Sequence, residues 1–138
     1  MAQTQVVTDS GISELILLWR EELATGMESI VALNMATPCT AVVGSTYADP
    51  ADTATHHTDG GLAIQAIDTV GGATVNTAGD TITFDHVLTV TATKNVAGIH
   101  VCNNDDDVAF IECCFNAVLA MENTDTLTID GQSTINQA

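Results

Sequence analysis

The chain has 138 residues, room for one compact domain. Two basic residues, Arg20 and Lys94, stand against eighteen Asp and Glu, a formal net charge of −16. That balance excludes nucleic-acid binding, which needs Lys and Arg to displace the counterions around phosphate, and it excludes docking on anionic lipid. With 46% of the residues hydrophobic, the charge marks an acidic skin on a folded protein and not a disordered chain.

The first periodic segment is a helix expected over residues 9–24. Ile12, Leu15, Ile16, Trp19 and Leu23 follow an i, i+3, i+4 stripe, and Glu14, Glu21 and Glu22 fall off it. Thr8, Asp9 and Ser10 offer capping oxygens ahead of the stripe, and Gly26 sits where a C-terminal glycine belongs. After Gly26 the chain reads as strand and turn. Residues 29–35 form a short apolar strand, 37–60 a long loop rich in Thr, Ala, Asp, Pro and Gly, and 62–70 a further strand ending at Gly71 and Gly72. A short piece at 74–77 turns at Ala78, Gly79 and Asp80.

The clearest strand follows. Ile82, Phe84, Leu88, Val90 and Ala92 point one way, and Thr81, Thr83, Asp85, Thr89, Thr91 and Thr93 the other, the alternation of an antiparallel sheet with one wet face. Residues 96–102 and 108–115 flank an Asn/Asp turn and read as a hairpin, and Leu127, Ile129 and Ile135 supply a last strand. The expected class is α+β, mainly β: an antiparallel β-sandwich of about seven strands, jelly-roll-like, with one N-terminal amphipathic helix, as a single domain over 1–138. An all-β jelly roll with the helix as an outrigger is the alternative.

The hairpin register bears on cysteine chemistry and on assembly. With Asn103 opposite Val108, Cys102 lies opposite Ala109 and Cys113 opposite Gly98, about four residues or roughly 13 Å apart. No disulfide forms inside this hairpin at that distance, while bonds from Cys39 or to another subunit stay open. Adjacent Cys113 and Cys114 face opposite sides of a strand and cannot easily share a metal ion, so buried thiols are expected. This register puts Ile99, Val101, Phe110, Glu112 and Cys114 on one face, and Gly98, His100, Cys102, Ala109, Ile111, Cys113 and Phe115 on the other. Both faces are largely apolar. The hairpin is then either central in the sandwich or covered by a neighbouring subunit, with Ile99, Val101, Ile111, Cys113 and Phe115 as the candidate oligomer contact and Glu112 and His100 as semi-buried groups needing partners.

His56 and His57 in the long loop, together with Asp105, Asp106 and Asp107 in the hairpin turn, are the candidate ligands for a weakly bound divalent or monovalent cation. The calcium-loop pattern fails, since Val108 occupies the glycine slot, and no other cofactor is implied. No nucleophile elbow, phosphate-cradling glycine loop or His-Glu-x-x-His is present, so no catalytic residue is expected.

Several segments resemble the small tail-fibre or appendage-type structural proteins of tailed viruses. They are Val7-Thr8-Asp9-Ser10-Gly11-Ile12 at the helix start, Ile30-Val31-Ala32-Leu33, Asp80-Thr81-Ile82-Thr83-Phe84, Val96-Ala97-Gly98-Ile99 and the closing Thr124-Asp125-Thr126-Leu127-Thr128-Ile129. Two departures stand out: Asn34-Met35-Ala36-Thr37 replaces a Gly-x-Gly-Thr loop, and Ala97 stands where the family carries an acidic residue. The resemblance implies a non-enzymatic virion protein, trimeric or otherwise multimeric, that associates with itself and with other virion proteins. A carboxylate shell with almost no Lys suits a virus of a salt-loving host, because concentrated salt screens the repulsion among carboxylates. No segment reaches the roughly eighteen apolar residues of a membrane span, and residues 1–10 lack the pattern of a signal peptide, so synthesis in the host cytoplasm and residence in the virion are expected. The rival expectation is a small cytoplasmic cation- or ligand-binding β-sandwich built on His56, His57 and Asp105 to Asp107.

Overall fold

A computed structural model describes residues 3–7, 28–72, 80–103 and 108–135. The expected helix at 9–24 and the acidic turn residues Asp105, Asp106 and Asp107 lie outside them. The described chain is mainly β, with every strand pair antiparallel. In chain order the strands are β1 (Gln3–Val7), β2 (Ser29–Asn34), β3 (Thr55–His56), β4 (Gln65–Ala66), β5 (Thr69–Gly72), β6 (Asp80–Thr89), β7 (Lys94–Cys102), β8 (Ala109–Met121) and β9 (Thr126–Ile135). One sheet has the order β1-β8-β7-β2-β3, with β4 also on β2, and the other has the order β5-β6-β9. Because β3 and β4 have two residues each, seven strands of four or more residues carry the fold.

Period-two patterning accounts for most of these elements and for one adjustment. In β6, Phe84, His86 and Leu88 are buried while Thr83, Asp85, Val87 and Thr89 are exposed, so the alternation runs unbroken through His86 and Val87. The strand ends at Thr89, earlier than its pattern suggested, and Ala92 is exposed. Gly61 makes that end possible: at φ +75° it passes so close to the Thr89 carbonyl that a Cβ would sit 1.9 Å from the oxygen. Apolar side chains of both sheets meet in one cluster, with Ile30 from β2, Phe84 and Leu88 from β6, Val101 from β7, Phe110 from β8 and Ile129 from β9. A second, smaller cluster lies under the long loop: Leu33, Cys39, Ala41, Ala54, Ala97 and Cys114. The hairpin strands β7 and β8 contribute to both clusters, and this double burial is why both of their faces are apolar.

Candidate functional site

Among the described residues, the densest polar cluster lies on the β8 face that the long loop covers. The hairpin opens in the expected register, with Cys102 opposite Ala109, but one extra residue at Phe110 shifts everything beyond it. Val101 then pairs with Ile111, His100 with Glu112, Ile99 with Cys113 and Gly98 with Cys114. A one-residue shift moves side chains to the opposite face. The expected split of the hairpin faces is corrected accordingly. Ile99, Val101, Ile111, Cys113 and Phe115 share the main core, at 0–8% exposure, and His100, Glu112 and Cys114 turn to the loop side. The five residues read as an oligomer contact are therefore covered within their own chain. The two-sided apolarity that suggested a neighbouring subunit is accounted for by the sheet on one side and the loop on the other.

Glu112 is the centre of the loop side and is fully buried. Its Oε1 accepts from His100 Nε2 at 2.8 Å and from the Ala51 backbone N–H at 2.9 Å. Its Oε2 accepts from the Ser45 hydroxyl at 2.7 Å and from the Val42 N–H at 3.2 Å. Burial alone would raise the carboxyl pKa, but the bonds from His100, Ala51 and Ser45 outweigh it and hold Glu112 below its ordinary value. An ionised Glu112 can only accept, so His100 donates to it from Nε2, and the other nitrogen of that ring, Nδ1, shares a hydrogen bond with His56 Nε2 at 3.0 Å. Burial, reinforced by the neighbouring His100, pushes His56 down to about 4, against the opposing pull of Glu112, and keeps it neutral near pH 7. Tyr47 lies against the His56 ring at a centroid distance of 4.1 Å.

Two residues along the same face, Cys114 is joined to Cys39 by a disulfide with a Cα–Cα distance of 5.4 Å. Buried thiols are the general expectation for the cysteines, with a bond from Cys39 left open. That holds for Cys102 and Cys113 but not for this pair. The absence of a bond inside the hairpin stands. Gly98 lies opposite Cys114, and a Cβ there would come within 2.3 Å of the Cys113 carbonyl oxygen, so only glycine admits this close pairing.

Of the candidate cation ligands, Asp105, Asp106 and Asp107 lie outside the described residues, and the two histidines diverge. His56 faces His100, whereas His57, its neighbour in sequence, turns away and donates Nε2–H to the Asn95 carbonyl at 2.8 Å. Burial lowers His57 as well, partly offset by that bond. Among the described residues no group of three or more His, Cys, Asp or Glu is placed to hold a metal ion. Elsewhere the carboxylates serve as local fasteners: Asp59 takes Lys94 Nζ at 2.5 Å, and Asp68 accepts the Val87 N–H at 3.2 Å and lies 3.0 Å from buried His86 Nδ1. A cavity of about 230 Å³ between the sheets is walled by Phe84, Ile99, Ile111, Phe115, Leu127 and Ile129 among others, and its lining carries no histidine.

The need of Glu112 and His100 for partners is legible in the sequence, and the two satisfy one another. What sequence reasoning missed is the contribution of the loop: Ser45 and the backbone N–H groups of Val42 and Ala51 carry no motif that would advertise them. No helix among the described residues is long and apolar enough to cross a membrane. Comparisons with protein-family models, curated proteins and solved structures find no match to this chain.

Proposed function

We propose that this chain is a non-enzymatic structural protein of a virion, a capsid-decoration or tail-fibre component of a tailed virus whose host lives in concentrated salt. In this reading the two sheets form a jelly-roll-like β-sandwich flanked by the amphipathic 9–24 segment, and the protein works by association with copies of itself, a trimer being favoured, and with other virion proteins. One observation carries the non-enzymatic part. The largest polar constellation among the described residues spends its hydrogen bonds on the chain itself, since both oxygens of Glu112 and both ring nitrogens of His100 are engaged. A catalytic carboxylate or histidine has to reach a reacting atom, whereas this set holds a loop against a sheet. The net charge of −16 supports the salt-loving setting, because repulsion between acidic subunits is screened within about 3 Å at 1 M salt.

The test is the mass of the purified protein by light scattering across a salt series. A multimer that strengthens from low to molar salt is expected. A monomer at every salt concentration, or an assembly that dissociates as salt rises, would overturn the proposal.

A further inference from the structure

We infer that residues 35–54 form a strap held on the β7–β8 hairpin by two separate locks, a hydrogen-bonded one at Glu112 and a covalent one at Cys114 that the redox environment sets. The two anchors sit two residues apart on one face of β8, about 7 Å along the strand. They grip the strap at different places. Cys39 is tied near its start by the disulfide, and Val42, Ser45 and Ala51 are tied along its length by the Glu112 carboxylate. Its own regular structure is one three-residue 3-10 turn, Ala51–Thr53; its apolar contacts are Met35 at the start and the small residues Cys39, Ala41 and Ala54, and Tyr47 lies against the His56 ring.

The Glu112 lock forms in any redox state. The covalent lock needs an oxidant, and a small-molecule disulfide is sufficient. The Cys39 and Cys114 thiols lose two protons and two electrons, the Sγ–Sγ bond forms, and the small disulfide leaves as two thiols. In a reducing compartment the strap is therefore closed by hydrogen bonds alone, and transfer to an oxidising one makes the closure permanent. The locks also protect each other. Cys39 is 7% exposed and Cys114 1% exposed, so a reductant reaches the bond only when the strap lifts, which Glu112 opposes. This inference is independent of the virion reading, since it concerns closure of the chain on itself.

Hydrogen–deuterium exchange read on peptides within 38–53 tests it in the full-length chain. Wild type oxidised, wild type reduced with dithiothreitol, and oxidised Glu112→Gln should all keep the strap protected. Reduced Glu112→Gln should lose that protection by more than about tenfold, while the β6 and β9 peptides stay protected. The disulfide of Glu112→Gln should also reduce faster than that of wild type. Should Glu112→Gln fail to fold, Glu112→Ala combined with Cys39→Ser removes the acceptor for all three strap donors together with the covalent lock, and the same loss of strap protection is expected. A strap that exchanges freely in reduced wild type would show that Glu112 is no lock. A strap still protected when both locks are removed would show that neither is what holds it. Either result overturns the inference.

Discussion

Replacing Glu112 by alanine and by glutamine should give two different losses of stability, and the difference follows from the four donors around the carboxylate. Alanine leaves the Ala51 and Val42 N–H groups, the Ser45 hydroxyl and His100 Nε2–H without an acceptor in a fully buried site. Removing one partner of a buried charged pair costs about 3–5 kcal/mol. Glutamine keeps the shape but must turn an NH₂ toward one pair of donors. Placed at the Oε2 position, it faces Ser45, whose hydroxyl rotates to accept, and Val42 N–H, which has no such freedom. Placed at the Oε1 position, it faces His100, which can change tautomer, and Ala51 N–H, which again cannot change. Either way one backbone donor is orphaned, a cost of about 1–3 kcal/mol. Urea unfolding at fixed high salt reads this directly. With a slope near 2 kcal/mol per molar, the midpoint should fall by about 1.5–2.5 M for alanine and by roughly 0.5–1.5 M for glutamine. The Cys39–Cys114 bond must be intact in every sample, because closing a loop between residues 75 apart is itself worth about 4–5 kcal/mol. Equal midpoints for wild type, glutamine and alanine would refute the reasoning, since a carboxylate that anchors four donors cannot be silent on removal.

Stability should also fall with acid above the usual carboxylate range. His56 is held at about 4 in the fold against an ordinary 6.5, so between those values the unfolded chain binds the extra proton and stability is lost as pH drops through the window. His57, also lowered, acts in the same direction, and His56→Gln should flatten the slope measured by denaturant midpoints at pH 7, 6 and 5. Glu112, held below its ordinary value, should add a further loss at lower pH, as its stabilising charge is titrated away. Phe115→Asp places a charge in the main core at a site 4% exposed, and it should abolish cooperative unfolding by circular dichroism; a folded monomer would instead place Phe115 under a neighbouring subunit. Calorimetry with Ca²⁺, Mg²⁺, Zn²⁺ and Ni²⁺ should give no saturable stoichiometric heat dependent on His56 or His57, because Nε2 of each is already engaged, by His100 and by Asn95, and the two rings turn apart. Heat lost in His56→Gln would favour a cation-binding module.

How much of this was legible in the sequence differs from residue to residue. The alternation of Thr83, Phe84, Asp85, Leu88 and Thr89 places β6 and its buried face, because side-chain direction in a strand depends only on neighbours one and two positions away. The two apolar faces of residues 96–102 and 108–115 already required cover on both sides, and His100 and Glu112 already required partners. β1 was not legible, because its five residues, Gln3–Val7, carry no strong alternation and earn their place only by pairing with β8.

Charge, strand periodicity and the demand for buried partners are thus properties of the sequence alone, since each is set by composition or by neighbours along the chain. Tertiary structure alone decided three further matters: the extra residue at Phe110 that turns Glu112 and Cys114 to the side of His100, the choice of Cys39 as the disulfide partner, and the strap that covers them. The physical reason is separation. Glu112 meets Ser45 across 67 residues and Cys39 meets Cys114 across 75, and contacts at that distance are selected by the closed geometry of the sheets, on which local pattern has no hold.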